Sequence, residues 1–263
     1  IAKVKLLKPN KILIIRFSAL GDLVLTTPIF RELKRIFPHA QITMLTSTGD
    51  GSVLNNNPHI DNFIWHKRKE SYSELNKLIK KLQKEKFDIV FDAHRSLRSI
   101  WIVWHLTIFR LHTKPDVWLI NKRSWQRSLL INFKINFLKN NLSQRMHMLL
   151  PLQKQTGLLL NNHTELFPNI NIINKIDIFL KKNNLLHKKY IAIGASASYP
   201  LKRWPLKYFN ELISILIKKN FPVVLVGGEN ETENTKLEQD FYGKVINAAG
   251  QFTSLESAEL LSH

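Results

Sequence analysis

The chain has 263 residues, 44% of them hydrophobic and spread along the whole length, which argues against a disordered or fibrous protein and leaves room for one large domain or two ordinary ones. Thirty-nine Lys and Arg against 20 Asp and Glu leave a formal charge of +19, a balance suited to polyanions: nucleic acid, an anionic membrane face, or a phosphorylated or carboxylated substrate. With no cysteine there is neither a disulfide framework nor thiolate chemistry.

The opening IAKVKLLKPNK carries no long apolar core of a signal peptide. Its start at Ile1 rather than at a methionine reads as a partial or processed chain. No apolar run approaches the roughly 18 to 20 residues of a membrane span, so a soluble or peripherally attached protein is expected.

In chain order, Lys11 to Phe17 is a short β-branched run fit for a buried parallel strand. Leu20-Gly21-Asp22 turns the chain, and Asp22 to Phe37 has helical spacing through Leu25, Ile29, Leu33 and Ile36 up to Pro38. Strands are expected at Gln41 to Thr46 and Phe63 to His66, an amphipathic helix at Tyr72 to Glu85, and a buried strand at Asp88 to Ala93. An aromatic helix over Ser99 to Arg110, a strand at Val117 to Ile120 and a basic, helix-prone stretch to Gly157 follow. The polar segment Asn161 to Asn174, with Pro168, reads as a linker.

A second series then alternates strand and helix: Tyr190 to Gly194, Pro205 to Lys218, Pro222 to Val226, Glu231 to Phe241, Val245 to Asn247 and Ser254 to Leu261. Two such blocks imply an α/β protein of two doubly wound, Rossmann-like domains, residues 1–165 and 175–263. The last helix is followed by no partner strand, so the second domain reads as incomplete.

Three segments carry chemistry. In Arg16-Phe17-Ser18-Ala19-Leu20-Gly21-Asp22 a strand feeds a turn and a helix start, the place where open α/β sheets hold ligands. Gly21 permits close backbone approach, Arg16 offers a fixed charge, and the Asp22 carboxylate is suited to a general base on a hydroxyl, although the same residue can simply cap the helix. In Gly194 to Pro205 (GASASYPLKRWP) small residues, Ser196 and Ser198 precede Lys202, a point charge suited to phosphate; an ordinary loop with solvated basic residues fits equally. In Val224-Leu225-Val226-Gly227-Gly228-Glu229 the acid can accept sugar hydroxyls or cap the next helix.

Taken together, in this order and at these separations, the segments IIRFSALGDLVLTTPIFRELKRIFPHAQITMLTS, DIVFDAHRSLRS, IAIGASASYPLKRWPLKYFNEL, VVLVGGENE and INAAGQFTSLESAELLS resemble glycosyltransferase family 9, the ADP-heptose:lipopolysaccharide heptosyltransferase family. The resemblance implies a GT-B fold, with the acceptor on the N-terminal domain and the ADP-sugar on the C-terminal one. It implies inverting transfer of L-glycero-D-manno-heptose to the lipopolysaccharide inner core, with no cofactor and no metal. It assigns the general base to Asp22 and donor binding to Ser196 or Ser198, Lys202 and Glu229. Two departures stand out. Ala19 replaces a second small hydroxyl residue, and the chain ends before the family's Asp-Thr-Gly-x-x-His segment.

Acceptor contacts are expected at Arg16, Ser18 and Gly21, and at Arg95 and Arg98, which follow the DIVFDAH strand and suit acidic groups such as Kdo carboxylates; a solvated helix start is the alternative for the last two. His94 reads as a structural residue. The Trp101-Ile102-Val103-Trp104 helix, with Ile108 and Phe109, reads first as a buried core element and second as a contact for acyl chains or a membrane surface. The basic clusters Lys67-Arg68-Lys69, Lys80-Lys81 and Lys218-Lys219 suit weak attraction to the anionic inner-membrane surface. The expected location is cytoplasmic, peripheral on that membrane. No nucleic-acid reader pattern accompanies the charge, and a nucleic-acid-binding module or a GT-B enzyme using another nucleotide sugar are the alternatives.

Overall fold

Alternation along the first strand decides the architecture. In β1 (Lys11–Ile15) the side chains of Ile12 and Ile14 enter one buried cluster, and those of Leu13 and Ile15 enter another on the opposite face. A strand buried on both faces belongs to a parallel sheet covered on both sides. The computed structural model, which describes residues 8–67, 71–108, 114–137, 142–197, 199–229 and 232–263, has this arrangement. The chain divides into two compact units, Ile1–Leu166 and Phe167–His263.

In the first unit β1 lies at the centre of a five-stranded parallel sheet with β2 (Gln41–Ser47), β3 (Asn62–His66), β4 (Ile89–Asp92) and β5 (Asp116–Leu119), in the order β3-β2-β1-β4-β5. On one face α2 (Thr27–Ile36) contributes Ile29, Phe30 and Leu33; after α5 (Ser124–Phe133), α6 (Gln144–Thr156) contributes Met148, Leu149 and Leu152. On the other, α3 (Tyr72–Glu85) contributes Ile79 and Leu82, and α4 (Leu97–Ile108) contributes Ile102 and Leu106. The reversal of strand order at β1 puts the loops after β1 and β4 beside each other, at the switch point where ligands bind in such sheets.

Local chemistry sets the ends of these elements. Ser71 and Glu74 form a reciprocal capping box at the start of α3, and Lys86 ends it in the left-handed conformation. Ser143 caps α6, and Gly157 (φ 68°) closes it. The helix expected over Asp22 to Phe37 is two helices, α1 (Leu20–Val24) and α2. The hydroxyls of Thr26 and Thr27 donate to the carbonyls of Leu23 (2.6 Å) and Val24 (2.9 Å), and Pro28 removes a donor, so the chain restarts there. Gly21 accordingly lies inside α1 and not in a turn; residues 16–19 connect β1 to the helix.

Residues 161–166 are fastened to the first unit. Arg31 donates to the Asn161 carbonyl (2.9 Å), the His163 carbonyl (3.0 Å) and the Glu165 carboxylate (2.9 Å), and the Glu165 amide donates to the Thr27 hydroxyl (3.0 Å). The expected linker is therefore shorter than its composition suggests: α7 (Ile170–Lys182) begins inside it, capped by the Asn169 side chain and burying Ile176 and Leu180.

The second unit holds a three-stranded parallel sheet, β6 (Ile191–Ile193), β7 (Val223–Leu225) and β8 (Val245–Asn247), in that order. One face is covered by α8 (Leu206–Lys218) and α9 (Thr232–Asp240) through Phe209, Ile213 and Leu237. The other is covered by α7 and α10 (Ser254–Leu260), where Ile176, Leu180 and Leu260 meet Val224. Lys175 pairs with Glu256 at 2.8 Å across those two helices, and the Tyr190 hydroxyl donates to the Leu260 carbonyl.

Candidate active site

In the first unit the site begins where β1 ends. Arg16 continues the ladder through its amide to the Leu45 carbonyl (3.0 Å) and is buried. Its guanidinium donates from Nε to the Ser18 carbonyl (2.8 Å), from Nη1 to the Ala93 carbonyl (2.6 Å) and from Nη2 to the Asp22 carboxylate. It thus ties the loop after β1 to the loop after β4 and fixes Asp22 on α1. Burial draws this guanidinium below its ordinary pKa, against the opposing pull of Asp22 and Asp92. Asp22 retains 37% of its side-chain exposure, and α1 takes no side-chain cap from it, so its carboxylate faces the recess and not the helix amides.

That recess, about 240 Å³, is lined by Arg16, Asp22, Ile120, Asn121, Lys122, Arg123, Arg127, Gln144, His147 and Met148. Asp22 is its one acid; Arg16, Lys122, Arg123 and Arg127 are its permanent cations. Burial, then Arg16, lowers the Lys122 pKa, and burial with Arg123 and Arg127 lowers that of His147. Beside burial, which is the larger cause, neighbouring positive charge contributes to each shift, and an anionic ligand would offset that part.

The β4 loop is organised by Asp92, which is fully buried. Its carboxylate accepts from the amides of His94 (2.9 Å) and Arg95 (2.8 Å) and from the Ser99 hydroxyl (2.9 Å). Arg95, at φ 47°, turns its guanidinium to the Ile120 carbonyl (3.2 Å), on the rim of the recess. Arg98 contacts His66 Nε2 at 2.6 Å, on the other side of Phe17, and does not line the recess. The Phe17 ring lies between the rings of His66 (5.0 Å) and His94 (5.4 Å). Burial first, then Arg16 and Lys122, press the His94 imidazole down to a pKa of about 4, so it is neutral near pH 7.

Of the residues singled out in the sequence, the expected base Asp22 and the expected acceptor contacts Arg16, Ser18 and Arg95 are gathered at this end of the sheet, Ser18 through its backbone carbonyl. Gly21 is exposed, and a Cβ there would meet nothing within 4 Å. Sequence reasoning missed Asp92, Lys122, Arg123, Arg127 and His147. The signal for the lysine and arginines was present: Asn121-Lys122-Arg123 follows a parallel strand at its carboxyl end, the same rule that selected Arg95.

In the second unit the loops after β6 and β7 leave the same end of their sheet. Arg203 donates from Nε to the Ala197 carbonyl (2.7 Å) and from Nη1 to Glu233 (2.8 Å), bracing the loop after β6 against α9. Lys202 is exposed in a 3-10 turn, its Nζ 5.3 Å from the centre of the Tyr199 ring. Ser196 is half-buried in the loop, and Ser198 lies outside the described residues. Glu229 is exposed after Gly227 and Gly228. The backbone of Gly250 (φ +74°) presses against it: a Cβ on Gly250 would lie 2.6 Å from the Glu229 Cα, and the Gly250 amide donates to the Gly227 carbonyl (3.0 Å). Among the described residues no group of three or more His, Asp or Glu is placed to hold a metal ion, and no helix is long and apolar enough to cross a membrane.

The family model described as "Glycosyltransferase family 9 (heptosyltransferase)" matches residues 75–263. The chain belongs to this family. Lipopolysaccharide heptosyltransferase 3 of Escherichia coli is 25% identical over 92% of the chain and 72% of its own length. The crystal structure of a glycosyltransferase family 9 protein from Veillonella parvula superimposes with a TM-score of 0.76 at 20% identity, over 96% of this chain and 73% of that one. The E. coli ADP-heptose lipopolysaccharide heptosyltransferase II does so with 0.66 at 18% identity, over 96% and 76%. This family 9 enzyme is a glycosyltransferase, and its parallel α/β units have the GT-B fold of those structures.

Proposed function

We propose that the enzyme transfers L-glycero-D-manno-heptose, with inversion, from the ADP-sugar to an acidic hydroxyl-bearing sugar of the lipopolysaccharide inner core. The observation that carries this reading is the placement of one carboxylate, Asp22, at a recess whose other titratable lining residues are Arg16, Lys122, Arg123, Arg127 and His147. An acceptor bearing carboxylates or phosphates is drawn to such a recess, and the carboxylate is left to take a proton from its hydroxyl. The oxygen so freed bonds to the anomeric carbon from the face opposite the diphosphate, and the carbon–oxygen bond to ADP breaks. Lys202 and the small-residue loop after β6 suit the charge that collects on the departing diphosphate, with Ser196 or Ser198 and Glu229 on the donor's hydroxyls. No step in this scheme requires a cofactor or a metal. The E. coli relative named as lipopolysaccharide heptosyltransferase 3 supports the choice of acceptor class, and an E. coli heptosyltransferase structure containing ADP-2-deoxy-2-fluoro heptose, 17% identical with a TM-score of 0.67, supports the choice of donor.

The test is transfer to a Kdo-bearing lipid A acceptor from ADP-heptose, ADP-glucose and UDP-glucose in parallel. Turnover confined to ADP-heptose is expected. Turnover with UDP-glucose alone would overturn the donor assignment, and ADP-heptose hydrolysis without transfer would overturn the acceptor.

A further inference from the structure

The helix α4 is apolar on two opposite sides. Ile102 and Leu106 face the sheet, as expected for a core helix. The rest of its aromatic surface does not join them, which corrects the reading of this segment as a buried element. Leu97 (89% exposed), Ile100 (47%), Trp101 (37%), Trp104 (43%) and Ile108 (46%) face outward. Their spacing of three and four residues puts all five within one arc of about 100°, on the side away from Ile102 and Leu106. The Trp101 and Trp104 rings stack at 5.3 Å, and the His105 ring packs against both, at 4.5 and 4.8 Å. A soluble helix pays for such a stripe in solvation; one that rests at a lipid–water boundary does not, and Trp is the side chain best suited to that boundary.

The neighbouring helix supplies the matching charge. α3 packs beside α4 on the same face of the sheet. It exposes Lys77, Lys80, Lys81 and Lys84, again spaced by three and four residues and so forming one rail along the helix. Its acidic residues, Glu74 and Glu85, stand at its two ends. A lysine rail alongside a tryptophan-bearing apolar stripe is complementary to a surface that offers negative head groups above a hydrocarbon layer. We infer that the outer surface of α3 and α4 docks the enzyme on an anionic phospholipid bilayer, with Leu97, Trp101, Trp104 and Ile108 entering the interface and Lys77, Lys80, Lys81 and Lys84 on the head groups. This goes beyond the transfer reading and does not depend on its donor or its acceptor, because none of these residues lines the recess at Asp22.

Sedimentation of the chain with vesicles of phosphatidylcholine alone, or with phosphatidylglycerol added, tests the inference. Binding to the anionic vesicles that weakens with salt is expected. The double variant Trp101→Glu/Trp104→Glu and the quadruple variant Lys77→Glu/Lys80→Glu/Lys81→Glu/Lys84→Glu should each lower it by about tenfold or more. Because the substituted side chains are exposed, the variants' melting temperatures and their turnover on a deacylated, water-soluble acceptor should match the parent. Equal binding by parent and variants overturns the inference, as does failure of the parent to bind anionic vesicles. Loss of a parent dimer in the Trp101→Glu/Trp104→Glu variant, seen by ultracentrifugation without vesicle binding, would assign the face to a second copy and also overturn it. Failure of transfer from every donor, with vesicle binding intact, would count against the proposed reaction only.

Discussion

Arg16 and Asp22 form one unit: the guanidinium that fixes the carboxylate is itself fixed on its other two edges by the carbonyls of Ser18 and Ala93. The carboxylate is therefore held by the sheet, although it stands on a helix of one turn. Arg16→Met should cost about 2 to 3 kcal/mol of stability, the scale of lost charge-assisted hydrogen bonds, and should lower kcat along with it. Arg16→Lys, which keeps the charge but not the planar fork, should recover part of the stability and little of the turnover. Chemical denaturation beside steady-state kinetics checks both.

Asp22→Asn retains the size and an acceptor for Arg16 but is no base. Turnover should fall by roughly a hundredfold or more, with ADP affinity unchanged by calorimetry, since the donor contacts assigned to Lys202, Ser196 and Glu229 belong to the other unit. Undiminished turnover would remove Asp22 from the role.

The cations of the recess act on the acceptor through its charge. Arg127→Glu, at an exposed position on the recess wall, should raise the acceptor KM severalfold with little change in kcat. It should also flatten the dependence of kcat/KM on salt, because the screened term has been removed. A titration with acceptor at several ionic strengths reads this directly.

Gly250→Ala should destabilise the second unit by about 1 to 3 kcal/mol, since a side chain is strained at φ +74° and its Cβ would overlap the Glu229 backbone. The displaced Glu229 should weaken donor binding at the same time, measurable as a higher donor KM in protein that remains folded at the assay temperature.

His94 gives a pH dependence of defined sign. Its pKa in the folded chain, about 4, is below the ordinary imidazole value of 6.5. The neutral form is the folded one, so its contribution to stability is fully present above pH 6.5 and is lost as the pH falls toward 4. His94→Gln should remove that part of the acid sensitivity, seen as a smaller decline in Tm between pH 6.5 and 4 than in the parent.

The strands were legible in the sequence because buried parallel strands are written as uninterrupted β-branched runs: KILII, ITML and DIVF each name their element without help from context. The helix break at Thr26 and Thr27 was not, because the apolar spacing from Leu25 to Ile36 continues across it; the interruption comes from two hydroxyls turning back on carbonyls. α7 was hidden by composition. Its Asn-rich start reads as a loop, and only burial of Ile176 and Leu180 against the second sheet makes the segment a helix. For α4 the sequence reports apolar side chains but not which of them meet the sheet. The Gly-Asp turn pointed to the region of the recess, but its basic wall comes from Lys122, Arg123 and Arg127, 100 or more residues downstream of Asp22, and only the strand order brings them to it.

The first and last helices of the second unit, α7 and α10, share one cluster and are joined by Lys175 and Glu256. The unit's two ends are thereby stitched together, so fraying at either end is opposed by the other. The sheet β6-β7-β8, which carries Lys202 and Glu229 on its loops, is thus closed on one face by the same pair of helices that this ion pair ties together.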